Sequence, residues 1–280
     1  MWSFVGASNK IKIVSNTQIR KDSGYPITSY LDLATKVAEL QFKNRDYVML
    51  FRGQSGDYHN VRGDTSLKPG LFRGEQSQLK QMSWAELIAN RFNRLKNYEQ
   101  KLIYFFSKEN VAGAKYLKRH RILRWTLLQH YEVCETPLLD VTSSLRIAAS
   151  FASKKLNDKC YLYVIGVPNL SGAVTASAES GIQIIRLASV CPPSAVRPHI
   201  QEGYLLGEYP EMGDIGQKSH YASYEIDFGL RLIAKFYFNP KTFWKNDIFP
   251  MVSENALYPN SSDPIYELIQ RVKSSMQDDK

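Results

Sequence analysis

A chain of 280 residues with 44% apolar and 22% charged side chains carries enough hydrophobic surface for a core, which separates it from disordered chains. That length exceeds a typical domain without requiring two, so one domain with extensions is expected. The formal net charge of +9 favours anionic partners, and no apolar run approaches the ~18 residues of a membrane span.

Taken along the chain, "ITSYLDLATKVAEL" sets Ser29 and Asp32 at capping-box spacing ahead of Ala34, Val37 and Ala38, which predicts a short amphipathic helix. "YVMLF" follows without polar alternation, as a strand covered on both faces would, and delivers Arg52 at its end into Gly53. Past a glycine-rich loop, "MSWAELIANRFNRLKNYEQKLIYFF" joins a capping box at Ser83 and Glu86 to apolar residues at helical spacing, including Trp84, Ile88, Phe92 and Leu95. A long helix is predicted there. "LRWTLLQHYEV" predicts a second, stopped at "CETP" because the residue before Pro137 avoids helical angles. "PLLDV" reads as a short buried strand. "SLRIAASFASKKL" reads as a helix capped by Ser143 or Ser144, with Leu145, Ala148, Ala149 and Ala152 on one face.

Beyond this point "CYLYVIGV", "IQIIRLA", "GYLLG" and "LIAKFYF" are short and β-rich, with Gly, Pro or Ser between them. "SSDPIYELIQRVKSS" predicts a terminal helix. Helices in the first half and strands in the second give an α+β fold, a single mixed domain with N-terminal helices packed on a β-rich C-terminal half. Residues 1–26 are expected as an N-terminal extension, 27–272 as the domain, and 273–280 as a frayed tail.

Three cysteines at irregular spacing (Cys134, Cys160, Cys191) form neither a disulfide framework nor a zinc site, which suits a reducing compartment. The start "MWSFVGASNKIKIV" lacks the pattern of a secretory leader, so a cytoplasmic location and no membrane span are expected. The five histidines show no paired ligand spacing, so no metal is expected. From Arg91 to Arg124 ten basic residues stand against two acidic ones. Such a stripe could bind nucleic acid or an acidic protein, or be a solvated helical face.

"FRGQ" (Phe51 to Gln54), "LKPGLFR" (Leu67 to Arg73) and "LLQHYEVCETPLLDVTSSLRIAASFA" (Leu127 to Ala152) closely resemble the bacterial FRG domain family. That family is named for its arginine-glycine motif and shows a later glutamine-histidine-tyrosine, a threonine before leucine-leucine-aspartate-x-threonine, and an alanine-x-x-phenylalanine-alanine helix. A weaker likeness continues at "RPHIQEGYLL" and at "IFP" near Phe249. Two positions depart from the family: Glu132 stands where glycine is usual and Val141 where an aromatic is usual.

The order of motifs is also similar to that of the ADP-ribosyltransferase fold, and this weaker likeness implies NAD as substrate. It implies that Arg52, with Gly53 and Gln54, holds the dinucleotide phosphates, for which a planar bidentate donor is suited. Thr142 and Ser143 would orient the nicotinamide ribose, with Gln201 beside it. A carboxylate would stabilise the oxocarbenium-like transition state. In "QEG" the acid, Glu202, falls one residue off the expected place, so either Glu202 sits on a bulge, Glu208 or Glu211 serves, or the pocket binds without transfer. His130 and Asp140 could form a base and its orienting carboxylate.

Each residue has a plainer role too. Arg52 could pair with a carboxylate such as Asp140, His130 could be a buried structural histidine, Thr142 to Ser144 could only cap a helix, and Cys134 is a weak candidate nucleophile in a turn. Three functions remain open: an ADP-ribosyltransferase-like effector of a toxin or antiviral defence system, a non-enzymatic nucleotide or nucleic-acid binding module, or an interaction domain of a larger defence or toxin-antitoxin assembly.

Overall fold

In the computed structural model, which describes residues 1–6, 8–74, 82–155, 157–220, 227–245 and 248–276, each predicted helix forms, and a Ser or Asp side chain caps the start of each except the helix Arg121–His130, which starts at His120 without one. The chain begins with β1 (Trp2–Ser3), β2 (Lys12–Ile13), α1 (Asn16–Lys21), β3 (Tyr25–Pro26), α2 (Tyr30–Lys43) and β4 (Val48–Gln54). Then come α3 (Trp84–Lys108), α4 (Ala114–Arg119), α5 (Arg121–His130), β5 (Leu139–Thr142) and α6 (Leu145–Ser153). The remainder is β6 (Cys160–Val167), β7 (Val174–Ser177), β8 (Ile182–Arg186), α7 (Leu187–Val190), α8 (Arg197–Ile200), β9 (Gly203–Glu208), α9 (Ile215–Lys218), β10 (Leu232–Phe238), α10 (Pro240–Phe243), α11 (Glu254–Leu257) and α12 (Pro264–Ser274). The fold is α+β, and among the described residues after β6 only α12 exceeds four residues in helix.

At α3 the expected capping box is complete, Ser83 Oγ accepting from the Glu86 N–H and the Glu86 carboxylate from the Ser83 N–H. At α2 it is divided: Ser29 Oγ accepts from the Asp32 N–H at 3.2 Å, while the Asp32 carboxylate turns to the Thr28 N–H. Ser144 caps α6. Among the described residues no helix is long and apolar enough to cross a membrane. The end of the expected tail, residues 277–280, lies outside the described residues.

Two compact units interleave along the sequence. Unit 1 gathers Met1–Leu67, Val141–Leu170 and Asp227–Leu257; unit 2 gathers Lys68–Asp140, Ser171–Ile226 and Tyr258–Lys280. Residues 1–26, expected as an extension, belong to unit 1, because Phe4 and Tyr25 pack against Phe236 of β10 in its core.

In unit 1 the strand order is β3-β10-β6-β4, with β10 parallel to β3 and antiparallel to β6, and β4 antiparallel to β6. β4 also meets β5 at the pair Phe51 and Thr142. The apolar cluster of this unit includes Leu33, Phe51, Ala148, Ala152, Leu162, Phe236 and Phe243. In unit 2, β7, β8 and β9 form an antiparallel meander. The cluster there joins α3, α5 and α12 through residues such as Phe92, Leu102, Trp125, Leu128 and Ile269. Glu99, buried in α3, accepts hydrogen bonds from Trp125 Nε1 at 2.8 Å and Arg124 Nε at 2.6 Å, so its charge is paired.

β4 does not end at Arg52 as the sequence suggests. It pairs with β6 through Gln54, opposite Tyr161, and the residue that keeps it regular is Gly53. A Cβ there would lie 1.8 Å from the Ala148 carbonyl oxygen and 2.8 Å from the Ala152 nitrogen. The backbone of α6 therefore rests directly on β4, and the small residues Ala148 and Ala152 of the helix make that approach feasible. Glycine serves close helix packing here, on the face opposite the Arg52 side chain.

Gly53→Ala is expected to destabilise the protein by at least the ~1–3 kcal/mol of an overpacked core, since the obstructing atoms are backbone and cannot swing aside. Gly56→Ala, where a Cβ meets nothing within 4 Å, serves as the control. Urea denaturation compares them, and equal midpoints would refute the packing argument.

Candidate functional site

The first candidate surface is the face of unit 1 turned away from α6. Residues directly opposed in an antiparallel ladder point to the same side, and neighbours along a strand to opposite sides. Arg52 opposes Tyr163, which opposes Lys235; Gln54 opposes Tyr161, which opposes Tyr237. Two rows result, one of arginine, tyrosine and lysine, the other of glutamine and two tyrosines. Lys235 is buried and neutralised, its ammonium donating to Asp57 Oδ2 and Thr65 Oγ1, each at 2.7 Å. Asp57 also accepts from the Tyr163 hydroxyl at 3.0 Å and lies 3.2 Å from His59 Nε2. Burial pushes the Tyr163 hydroxyl pKa up, with the Asp57 charge adding and Arg52 opposing. Tyr161 stacks against Tyr163 with ring centroids 6.3 Å apart, and Lys159 lies 3.9 Å from the Tyr237 ring centre. Gln54 Oε1 is buried and accepts no hydrogen bond among the described residues.

Thr142 stands elsewhere. It opposes Phe51, so its side chain is on the α6 face, buried, and its Oγ1 accepts from the Ser144 N–H at 3.0 Å. Of the Thr-Ser-Ser triplet, Thr142 and Ser144 shape the helix start, and Ser143 is the exposed member. Arg52 and Gln54 thus share a face that Thr142 does not.

Unit 2 holds the second candidate group. α5 delivers Gln129 and His130, and the turn after it brings Thr136 and Asp140 back to them. Thr136 Oγ1 donates to Gln129 Oε1 at 2.6 Å, and Gln129 Nε2 donates to Asp140 Oδ2 at 2.5 Å. His130 Nδ1 lies 3.9 Å from Asp140 Oδ1. The histidine is 3% exposed, and its Nε2 has no hydrogen-bond partner among the described residues. Burial lowers its pKa, overriding the opposing pull of Asp140 and reinforced by Arg197, so the imidazole is held neutral. Gly203 lies next to it; a Cβ there would reach His130 Cε1 only at ordinary contact distance, 3.8 Å, but would come within 2.4 Å of Leu187 Cδ1.

The "RPHIQEG" segment is structural at its arginine. Arg197 stacks over Tyr258 at 4.4 Å and donates to Glu132 Oε1 at 2.9 Å, while its backbone N–H and the Tyr131 hydroxyl both donate to Asp263. Gln201 is buried as the C-terminal cap of α8, and Glu202 is exposed in the turn before β9 at φ 45°. Neither is on the strand that the resemblance implied. Of the other acids, Glu208 is buried against Lys218, and burial raises the pKa of Glu211. Glu132, the departure from the family's glycine, has φ 57°. That left-handed angle explains why glycine suits the position.

Cys134 is not a poised nucleophile, because burial drives its thiol pKa well up. Among the described residues no group of three His, Cys, Asp or Glu could hold a metal ion. Within the basic segment, Arg91 caps the carbonyls of Gly70 and Leu71, and Arg124 is tied to Glu99, so part of its charge serves the fold.

A half-buried arginine opposite Tyr163 on a glycine-seated strand gives this α+β unit a candidate anion-binding face. Residues 48–160 match the FRG domain family, so the chain carries an FRG domain over that span. No match was found among curated proteins or among solved structures.

The tyrosines and Lys235 were within reach of the sequence, since Tyr161/Tyr163 and Lys235/Tyr237 each sit two apart in β-prone runs and so share a face. Asp57, in an irregular loop, gave no such signal. Gln129 and Thr136 lie in the quoted motif, and their mutual bond accounts for its spacing.

Two measurements follow. Because His130 has a folded-state pKa below its unfolded one, the unfolded chain binds more protons as acid is added; stability should fall as pH drops below about 6.5. His130→Gln should flatten that slope in denaturation curves taken across pH, and an unaltered slope would show that other groups carry it. At residue 132, both Glu132→Gly and Glu132→Ala lose the carboxylate but only glycine relieves φ 57°, so the glycine variant should be about 1–2 kcal/mol the more stable. Equal urea midpoints would remove the strain account.

Proposed function

We propose that the Arg52 face of unit 1 binds a pyrophosphate-containing nucleotide, with NAD as the nucleotide that the likeness to ADP-ribosyltransferases favours. The observation that carries this reading is the register that puts Arg52 and Gln54 on one face with Tyr161, Tyr163 and Tyr237. The guanidinium offers a planar fork to phosphate oxygens, the half-buried Tyr161 and Tyr237 offer stacking surface to a base, and the Gln54 carbonyl offers an acceptor to a ligand N–H or hydroxyl. Ser143, exposed at the start of α6, is the member of its triplet suited to a ribose hydroxyl.

Transfer of ADP-ribose needs a carboxylate as well. Glu202, exposed in its turn, is the acid adjacent to the expected position, whereas Glu208 is engaged by Lys218. An effector of the toxin or antiviral type is the role in this reading; a module that binds the nucleotide without consuming it is the alternative.

Calorimetry with NAD tests the binding step. Arg52→Lys keeps the charge and loses the fork, and affinity should fall by about 1–3 kcal/mol, the scale of a charge-assisted hydrogen bond. Equal affinity in the two proteins, or no heat of binding in wild type, sinks the assignment. Nicotinamide release, followed by chromatography, separates the two roles: loss of release with retained binding in Glu202→Gln marks a transferase, and binding without release in wild type marks a module.

A further inference from the structure

The loop from Ser55 to Ser66 follows β4 and reaches over the Arg52 face of unit 1, where Asp57 binds Tyr163 and Lys235. Many bonds hold it still. Asn60 Oδ1 accepts from the Arg62 and Asp64 N–H groups, the Asn60 and Ser66 N–H groups donate to the Asp64 and Tyr58 carbonyls, and the Thr65 N–H donates to the Arg20 carbonyl at 3.0 Å. The Asp57 carboxylate is fixed from both sides: Oδ1 accepts from Thr65 Oγ1 at 2.8 Å and the Tyr163 hydroxyl at 3.0 Å, and Oδ2 from the Lys235 ammonium at 2.7 Å. Only 6% of that side chain is exposed.

His59 stands beside this anchor with 45% of its side chain exposed, and its Nε2 lies 3.2 Å from Asp57 Oδ2. An imidazole that turns Nε2 to a carboxylate turns Nδ1 away from it, so the second nitrogen is left for another partner. The anchor also sets where the ring stands. Tyr163 lies between Arg52 and Lys235 in its row, and the Arg52 charge acts on its hydroxyl. That hydroxyl binds Asp57, and Asp57 meets His59, so two side chains link the imidazole to the guanidinium. Space is left beside them, because a Cβ on Gly56, between Gln54 and Asp57, would meet nothing within 4 Å. The dyad expected at His130 and Asp140 is different: its groups are 3.9 Å apart and its imidazole is 3% exposed.

We propose that His59, held by Asp57, is the general base that deprotonates a hydroxyl nucleophile at the Arg52 face. This role rests on the reading of that face as an NAD site. The hydroxyl oxygen bonds to the ribose carbon that carried nicotinamide, while the electron pair of the broken carbon–nitrogen bond leaves with the nicotinamide ring and cancels its positive charge. The hydroxyl proton passes to Nδ1, and the imidazolium that results is stabilised by Asp57. Around the ring stand Asp57, Arg62 and Asp64 of its own loop, Arg20 of α1 behind Thr65, Arg52 of β4, Tyr163 of β6 and Lys235 of β10. Of these residue types and histidine, only histidine ordinarily changes charge between about pH 5 and 8.

The test measures nicotinamide release from saturating NAD across pH, and NAD affinity by calorimetry, in wild type, His59→Gln and His59→Ala. Both variants change an exposed side chain, so the fold should survive them. Release should fall roughly a hundredfold or more with affinity unchanged, and the loss of rate that wild type shows in mild acid should disappear. With methanol added, free ADP-ribose alone marks water as the hydroxyl and an O-methyl product marks an alcohol; either product, lost in both variants, supports the dyad. Release at the wild-type rate with the wild-type pH profile overturns the proposal, as does a parallel fall of rate and affinity, which is the mark of a structural histidine. NAD bound by wild type but cleaved at no pH overturns it too, while leaving the binding assignment of Arg52 in place. Absence of NAD binding in wild type removes both.

Discussion

At residue 53 the chain carries a hydrogen where any side chain would collide with the Ala148 carbonyl, and the two elements that meet there, β4 and α6, organise the rest of unit 1. Because the helix backbone sits on the strand, Phe51 and Leu162 share a core with Ala148, Ala149 and Ala152. Strand alternation then fixes everything on the other side. With Phe51 and Gly53 committed to the helix, Arg52 and Gln54 can only go to the opposite face, among the tyrosines of β6 and β10. The arginine-glycine pair is therefore one geometric device, in which the glycine sets the strand's depth and the arginine inherits its direction.

Both units bury charge, and both surround it. Lys235 is held by Asp57 and Thr65 in unit 1, and Glu99 by Arg124 and Trp125 in unit 2. Taking one partner from such a group leaves a charge without compensation, which costs about 3–5 kcal/mol, far more than an exposed pair contributes. Arg197 follows the same logic, with Glu132 on its guanidinium and Tyr258 beneath it. These groups fix the loops that carry Asp57, Glu132 and Asp263, where few apolar contacts would hold them.

Periodic segments were legible in the sequence, and so were the helix starts. Ser83 with Glu86, and Ser144, declare themselves by spacing alone because capping is a local hydrogen-bond problem. The run "VMLF" announced a covered strand. What the sequence did not show was where β4 stops, since Arg52 and Gly53 look like punctuation and only the approach of α6, some hundred residues later, makes them a continuation. The candidate site was legible as a set of residue types but not as a surface. Thr142 was grouped with Arg52 by motif order, and the register that turns it to the α6 face is a property of pairing rather than composition. The strand read in "GYLLG" begins at Gly203 as its sequence suggests, and the left-handed turn at Glu202 keeps that acid and Gln201 outside it.

The strand order of unit 1 has a consequence for how the protein is made. β10, synthesised after every other strand of the sheet, lies between β3 and β6, which leave the ribosome much earlier. Until residue 238 emerges, the nascent chain holds β6 with a bare hydrophobic edge and β3 with nothing to pair. At ordinary translation rates of about 5–20 residues per second the interval from Pro26 to Phe238 lasts roughly ten to forty seconds, long beside the time a hairpin needs to form. The β4–β6 ladder, whose two strands are complete once Val167 emerges, can form within that wait, and β10 then adds at the open edge of β6 and offers its other edge to β3. Chaperones that shelter unpaired edges would have their longest opportunity on this protein while it is still attached to the ribosome.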